Sequence, residues 1–410
     1  MIRRFLFFAF SILLTACGAL SPLSPATQPV PVTETFSPPT PQATASPTGS
    51  PGRVLRIWLP VQFDPGAETP AAAILNERLG IFVASHPGLR LDIRLKGGDK
   101  AASLQDTLSF THDAAPDILP DLVALQRTDL EAAALKGILH PLDGLTTLLA
   151  DPDWYSYARQ SGHVQNATYG LPFAGDALVL LYRPAQFESA PVAWQDLAAK
   201  HPSLAFASDD PNALFLMNLY ISTGASLLDD TNHPTLNAAM LASALNQMTA
   251  FKLIPLQGDA AVLNAFRDGR TDLAVTWASR LISDPVPGSA MLPLPGLSGT
   301  PWTLASGWEW ALAGSDPQNQ ALATELAEWL VADDFLSDWT KAAGYLPPRS
   351  TALNRWPDPT AWDAVSQSMQ GMPSADILTA LGPVLHDALG RVLKGEQVQA
   401  VADSAAQSLK

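Results

Sequence analysis

Residues 54–59, Val-Leu-Arg-Ile-Trp-Leu, form a nearly unbroken apolar run. A run this short reads as a strand buried on both faces. Residues 70–84 follow with Ile74, Leu75, Leu79, Phe82 and Val83 on one helical side. Pro87-Gly88 breaks the chain, and residues 89–95 then alternate, with Leu89, Leu91, Ile93 and Leu95 on one face and charges on the other. Strand, helix, strand at this spacing is a βαβ unit, which requires a parallel sheet covered by helices. No other feature restricts the fold as much.

The pattern continues down the chain. Residues 121–125 are another short apolar strand, with a helix from about Thr128 to Gly137. Residues 177–182, Ala-Leu-Val-Leu-Leu-Tyr, are a strand buried on both faces. Asp210-Pro211 predicts a cap and first helical residue for a helix ending near Ser222. Leu241, Leu245 and Met248 keep helical spacing, and residues 273–276 are a strand. Asp316-Pro317 opens a helix carrying Leu322, Leu326, Trp329 and Leu330, and residues 358–410 read as helical throughout. Trp58 and Trp329 read as core. With 410 residues, 47% of them hydrophobic, the α/β body is large enough for two lobes.

The N-terminus is of a different kind. Arg3 and Arg4 precede an apolar run over residues 5–14, too short to span a bilayer. A positive region followed by a short apolar one is a signal peptide. It ends in Leu14-Thr15-Ala16-Cys17-Gly18, which resembles the bacterial lipobox, whose cysteine is lipidated and becomes the first mature residue. Cys17 is the single cysteine, so an internal disulfide and a cysteine-based zinc or iron–sulfur site are excluded. Residues 21–52 hold nine prolines, eleven Ser or Thr and one charge, Glu34, the composition of an extended tether.

Charge and motifs narrow the chemistry. A net charge of −15 gives no footprint for nucleic acid or anionic lipid. The closest histidines, His140 and His163, are 23 residues apart, so no short metal-ligand spacing exists. GxSxG, GxGxxG and the P-loop pattern are absent, and Gly97-Gly98-Asp99-Lys100 reads as a solvated turn. Asp209-Asp210, Asp229-Asp230 and Asp333-Asp334 sit beside turn or helix-end signals and read as caps. A glycosidase built from distant carboxylates needs no fixed spacing and stays open.

Several segments together resemble one family. They include His86-Pro87-Gly88-Leu89, Ala115-Pro116-Asp117-Ile118, residues 137–143, Tyr169-Gly170-Leu171-Pro172-Phe173, residues 266–274, Pro293-Leu294-Pro295-Gly296, Ser306-Gly307-Trp308 and residues 344–349. In this order, behind a lipobox and tether, they resemble the family 1 extracellular solute-binding proteins, the ABC-importer receptors that include maltose-binding protein. The resemblance implies a two-lobed α/β periplasmic-binding-protein fold, type II-like. Its parts would be a signal peptide at 1–16, a lipidated tether at 17–52, lobe one at 53–173 and 309–345, lobe two at 174–305 and 346–410, and a return crossover at 306–308. It implies no catalysis and no cofactor. The partners would be a sugar-like neutral solute and permease transmembrane subunits, with a monomer held at the bacterial membrane by lipid alone. A lipid-anchored glycoside hydrolase and a sensor or scaffold lipoprotein are the alternatives. Residues 373–385 contain no aromatic, unlike the sugar-stacking C-terminal part of maltose-binding protein, so maltodextrin itself is not implied.

Ligands of open α/β sheets sit outside the carboxyl ends of strands and between domains. That places Gln62, Phe63, Gln126, Arg127, Phe173, Asp176, Trp277, Trp308, Trp310, Tyr345 and Arg349 as candidate ligand contacts. Trp308 and Trp310 share one strand face, with Gly307 and Glu309 on the other, and each either stacks on ligand or fills core. Arg349 either reaches ligand or pairs with a structural carboxylate.

Anchoring through one thiol has a direct test. Cys17→Ser is expected to abolish lipid labelling and either release the body or block maturation. Equal labelling and membrane retention in the mutant would overturn it.

Overall fold

The computed structural model describes residues 52–97, 103–187, 190–198 and 201–409. The expected signal peptide, Cys17 and all but the last residue of the tether lie outside the described residues, as do 98–100 of the glycine turn. Among the described residues no helix is long and apolar enough to cross a membrane, and no cluster of His, Cys, Asp or Glu could hold a metal.

The βαβ start forms as its sequence dictates. β1 (Val54–Pro60) lies parallel to β2 (Arg90–Lys96), with Ile57 opposite Ile93. The helix Pro70–Ser85 between them begins at Thr69, whose hydroxyl accepts from the Ala72 N–H at 3.2 Å, and carries proline in its first turn. β3 (Leu122–Gln126) joins the other edge of β1. β2 is an edge strand, so Leu95 is left exposed.

β4 (His163–Val164) and β5 (Ala167–Thr168) make a separate hairpin before β6 (Gly170–Tyr182). β7 (Ser203–Ala207), β8 (Lys252–Leu256), β9 (Leu273–Trp277), β10 (Ala290–Pro293), β11 (Thr303–Leu312) and β12 (Met369–Gly371) follow. They form a ten-stranded sheet in the order β2-β1-β3-β11-β6-β9-β7-β8, with β10 against β6 and β12 against β11. The sheet is mixed rather than wholly parallel. β6 carries the chain from the β1–β3 end to the β7–β9 end and β11 brings it back, so the two run antiparallel to each other and to their outer neighbours.

Other expectations need correction. The strand read at 177–182 is the second half of the longer β6. Pro211 does not open a helix. The Asp210 carboxylate accepts from the Asn212 and Leu214 N–H groups, Ala213 takes a left-handed φ of 47°, and the helix starts at Leu214. The C-terminal part is not all helix, because Met369–Gly371 pairs with β11 between the helices Pro359–Ser368 and Ala375–Leu393. Trp58 is core at 2% exposure, whereas Trp329 is half-buried with the Arg78 guanidinium 3.5 Å from its ring centroid.

Side chains alternate between faces along a strand, and this shows where the cores part. On β11, Leu304, Ser306, Trp308, Trp310 and Leu312 share a face. Leu304 packs with Leu178, Phe206, Leu216, Leu241 and Leu381, a core clothed by the helices Leu214–Ser222, Ala238–Thr249 and Ala375–Leu393. Trp308, Trp310 and Leu312 pack with Leu55, Ile57, Leu79, Phe82 and Leu336, a different core. Ser306 is the step between, half-buried and in register with half-buried Asp176 on β6. On the other face of β1 and β3, Trp58, Val123, Leu125 and Leu130 form a third core.

The two long strands are packed closely at this step. Gly175 pairs with Gly307, and a Cβ at 175 would overlap the Tyr157 hydroxyl and approach its ring carbon to 3.0 Å. Gly175→Ala is therefore expected to destabilise by about 1–3 kcal/mol through overpacking. Tyr157→Phe, which deletes a hydroxyl with no hydrogen-bond partner among the described residues, should recover part of that loss. Strictly additive effects in urea unfolding of the double mutant would show that the two groups do not meet.

Candidate functional site

Two hollows, one beside each core, are the walls of the candidate site, and the seam at Asp176 and Ser306 is its candidate floor. One wall is a hollow of about 180 Å³ behind β1, lined by Gln62, Phe63, Asp64, Thr69, Trp339 and Tyr345 among others. The other, about 260 Å³, lies at the carboxyl ends of β7 and β9, lined by Leu178, Phe206, Asp209, Asp210, Phe215, Asp259 and Trp277 among others. Strand ends supply both walls because there the backbone leaves the ladder and the next loop is free to present side chains.

Phe63 holds the first wall together. Its ring, 4% exposed, meets Trp308 at 5.0 Å, Trp339 at 5.3 Å, Phe173 at 5.6 Å and Tyr345 at 5.9 Å, all edge to face. Trp308 is buried beneath the cleft opposite Gln126, which is exposed at the end of β3. Tyr345 is half-buried; burial, then the Asp176 charge, pushes its hydroxyl pKa up. Trp277 ends β9, half-buried, opposite Leu178.

Asp176 is the polar centre of the floor. Its Oδ1 accepts from the N–H groups of Ala177 and Ser279, each at 2.9 Å, the second at the start of the short helix Ala278–Ser283. Burial outweighs these bonds, with the charge of Asp259 adding to it, and the carboxyl is pushed up to about 7. Asp259 is itself raised by burial and by Asp210 and Asp209, and held back by Arg280.

Four candidate contacts are placed elsewhere than a ligand site. Phe173 is 1% exposed and stacks on Trp310 at 4.3 Å; both rings are core. A bulge explains the first, because β6 has an extra residue between Pro172 and Ala174 relative to β11. Arg349, 9% exposed, donates from Nε and Nη2 to both Asp153 oxygens at 2.8 and 3.1 Å, and also pairs with Asp151 and Asp333. Of the two readings of Arg349, the structure supports the structural one. Arg127 lies 4.0 Å from Glu131 and on the Glu309 side of β11, away from the Asp176 seam. Gln62, Phe63 and Tyr345 line the first hollow and Trp277 the second, while Asp176 lies on the seam and Trp308 pairs with Gln126 between β11 and β3.

Sequence reasoning missed Asp64, Asp209, Asp259 and Ser306. The strand-end rule applied to β7 and β8 finds Asp209 and Asp259; capping signals masked them. The cap reading holds only in part: Asp209 accepts from the Gly258 N–H at 2.8 Å and Asp229 from Thr231 and His233 in a turn, whereas Asp334 pairs with Arg78 and the helix Asp333–Ala343 has no side-chain cap. Glu309 was also unread. It is fully buried, and neither carboxylate oxygen has a hydrogen-bond partner among the described residues. Desolvation pushes it up to about 8, against the pull of Ser161 and Arg127.

Comparison with known proteins bears on this geometry. A family model described as bacterial extracellular solute-binding protein matches residues 93–366. A sequence search among curated proteins finds no match. Among solved structures, the sugar-binding protein MalE from Xanthomonas citri superposes with a TM-score of 0.71 at 18% identity, covering 87% of this chain and 96% of that one. The cyclic alpha-maltosyl-1,6-maltose binding protein from Arthrobacter globiformis gives 0.70 at 16%, covering 87% and 98%. An ABC transporter solute-binding protein from Agrobacterium radiobacter K84 in complex with ribitol gives 0.63 at 21%, covering 88% and 98%. At these identities the likeness establishes the fold, the two-lobed periplasmic-binding-protein fold.

Glu309 yields a test by linkage. Its pKa is raised in the folded state, so the unfolded chain releases the proton first. The stability it contributes is whole below about 4.5 and lost as pH rises through about 8. Glu309→Gln is expected to flatten the decline in unfolding free energy over that window by up to about 1.4 kcal/mol per pH unit. Parallel profiles for parent and mutant would show that Glu309 does not titrate as a buried acid.

Proposed function

The chain belongs to the bacterial extracellular solute-binding proteins, and from that premise we propose that it captures a neutral sugar or polyol in the cleft over Asp176 and Ser306 for delivery to an ABC permease. The observation that carries the reading is the step on β11. One strand face passes from the Leu304 core to the Trp308 core across a half-buried polar seam, with aromatic side chains on both sides. The solved structures of the same fold described as binding maltosides or holding ribitol support this ligand class.

In this reading the lobes are residues 53–173 with 309–345, and 174–305 with 346–410. They rock about β6 and β11, with 306–308 as the return crossover. Trp277 and Tyr345 present faces to the apolar side of a ring or chain, and Gln62, Asp64, Asp176 and Asp259 accept from or donate to its hydroxyls. A solute touching both walls favours the closed form, and only that difference in affinity moves the equilibrium. The permease then reads closure. Lipid on Cys17 and the proline-rich tether hold the receptor at the outer face of the membrane. The role is binding rather than catalysis.

A thermal-shift screen of sugars and polyols tests the ligand class, since a solute at ~100 times its Kd adds about 2.7 kcal/mol of stability. Binding is expected to change tryptophan fluorescence and to depend little on salt. Trp277→Ala should weaken it by about 1–3 kcal/mol through lost stacking and burial. Full affinity in that mutant removes Trp277 from the site. Affinity falling steeply with salt would replace the neutral solute by an ionic one.

A further inference from the structure

The helix Ala375–Leu393 is long, and its N-terminus is capped from outside its own lobe. Its N-cap residue, Ser374, makes no side-chain capping bond. The first N–H groups of any helix lack intrahelical acceptors and carry the positive end of the helix dipole. Here the Ala375 N–H donates to Oε2 of Glu131 at 3.4 Å. Glu131 sits in the helix Arg127–Leu135, whose Leu130, Ala133 and Ala134 belong to the Trp58 core. Leu378, Leu381 and Leu385 of the capped helix belong to the Leu304 core. The contact therefore joins a helix of one core to a helix of the other.

Glu131 is not a loose surface group. Its side chain keeps 16% of its exposure, and the same Oε2 lies 4.0 Å from Arg127 Nη1, one turn earlier, itself at 18%. Arg127 in turn is the cation whose field reaches buried Glu309 on β11. A carboxylate on the crossover strand, an arginine, a second carboxylate and a helix N-terminus thus stand in sequence at the edge of the hinge.

We infer that Glu131 is a positioning residue for lobe movement, a latch that holds the Ala375 helix end to the Arg127 helix and so sets the angle between the lobes before solute arrives. Arg127 holds Glu131 in place. The inference rests on the two-lobe reading above, but it is tested in the ligand-free protein, so a wrong solute class leaves it untouched.

The test reads interlobe distance by fluorescence energy transfer. The full chain carries Cys17→Ser, with thiols for dyes at exposed Phe110→Cys and Met240→Cys, one on a helix of each core. Glu131→Ala is expected to shift and broaden the distance distribution. Glu131→Gln, which keeps an acceptor but loses the charge, should fall between Ala and parent. Arg127→Met should shift the same way and add little on top of Glu131→Ala. A distribution identical to the parent's in Glu131→Ala and Glu131→Gln overturns the latch. So does a drop in melting temperature without a change in distance, because a purely structural cap predicts that result. If Glu131→Ala fails to fold, the Gln variant decides alone.

Discussion

The structure depends on a change of partner along one strand face. A strand has a single alternation, so Leu304, Ser306, Trp308, Trp310 and Leu312 of β11 must point the same way. They could all lie in one core, but they do not: Leu304 is buried among the Ala238–Thr249 and Ala375–Leu393 helices, and Trp308 onward among those behind β1. Helices cannot cover both halves continuously where the two sets diverge, so one position per strand is left between them. β11 fills it with serine and β6 with aspartate, in register. A polar floor between apolar ends is what a solute with hydroxyl groups requires, and it follows from the division of the cores.

The opposite face of the same step is solved differently. There Tyr157 of the helix Ser156–Ser161 and Met369 of β12 pack against Gly175. Glu309 and the Tyr157 hydroxyl lie inside without hydrogen-bond partners among the described residues. A buried carboxyl escapes most of the penalty by staying protonated, which is the direction of its shift. The strand pair therefore carries an acid on each face, half-buried Asp176 on one and fully buried Glu309 on the other, and burial raises the pKa of both.

Much of this was legible because periodicity reports burial. The βαβ start, the helix cap at Asp316 and the position of β9 followed from local pattern. What was not legible depended on contacts distant in sequence. Trp308 and Trp310 have the same spacing to everything nearby, and only the fold shows that both are buried in one core, the first against Phe63 and the second against Phe173. Arg349 looks free until residues 151 and 153 fold beside it, almost two hundred positions earlier. The family resemblance placed the first crossover at Tyr169–Phe173 but could not show the bulge at Phe173, because a bulge is a property of two strands together.

The aromatic arrangement also bears on how selectivity arises. Phe63, Phe173, Trp310 and Trp339 touch one another and fill the space behind the cleft, so Trp308 and Tyr345 rest on rings that cannot move aside. A wall held in advance loses little freedom when a solute settles on it, which lowers the entropic cost of binding. Rigid stacking surfaces discriminate weakly among rings and chains of similar width, since every such solute offers an apolar side. In the proposed site, discrimination then falls to the polar groups Gln62, Asp64, Asp176, Asp209 and Asp259. Of these, Asp64, Asp176 and Asp209 already accept from backbone N–H groups, which fixes the direction of their remaining lone pairs. In that proposal the buried rings keep the stacking wall in place, and the choice of solute rests on Asp176 at the seam and on the polar residues at the strand ends.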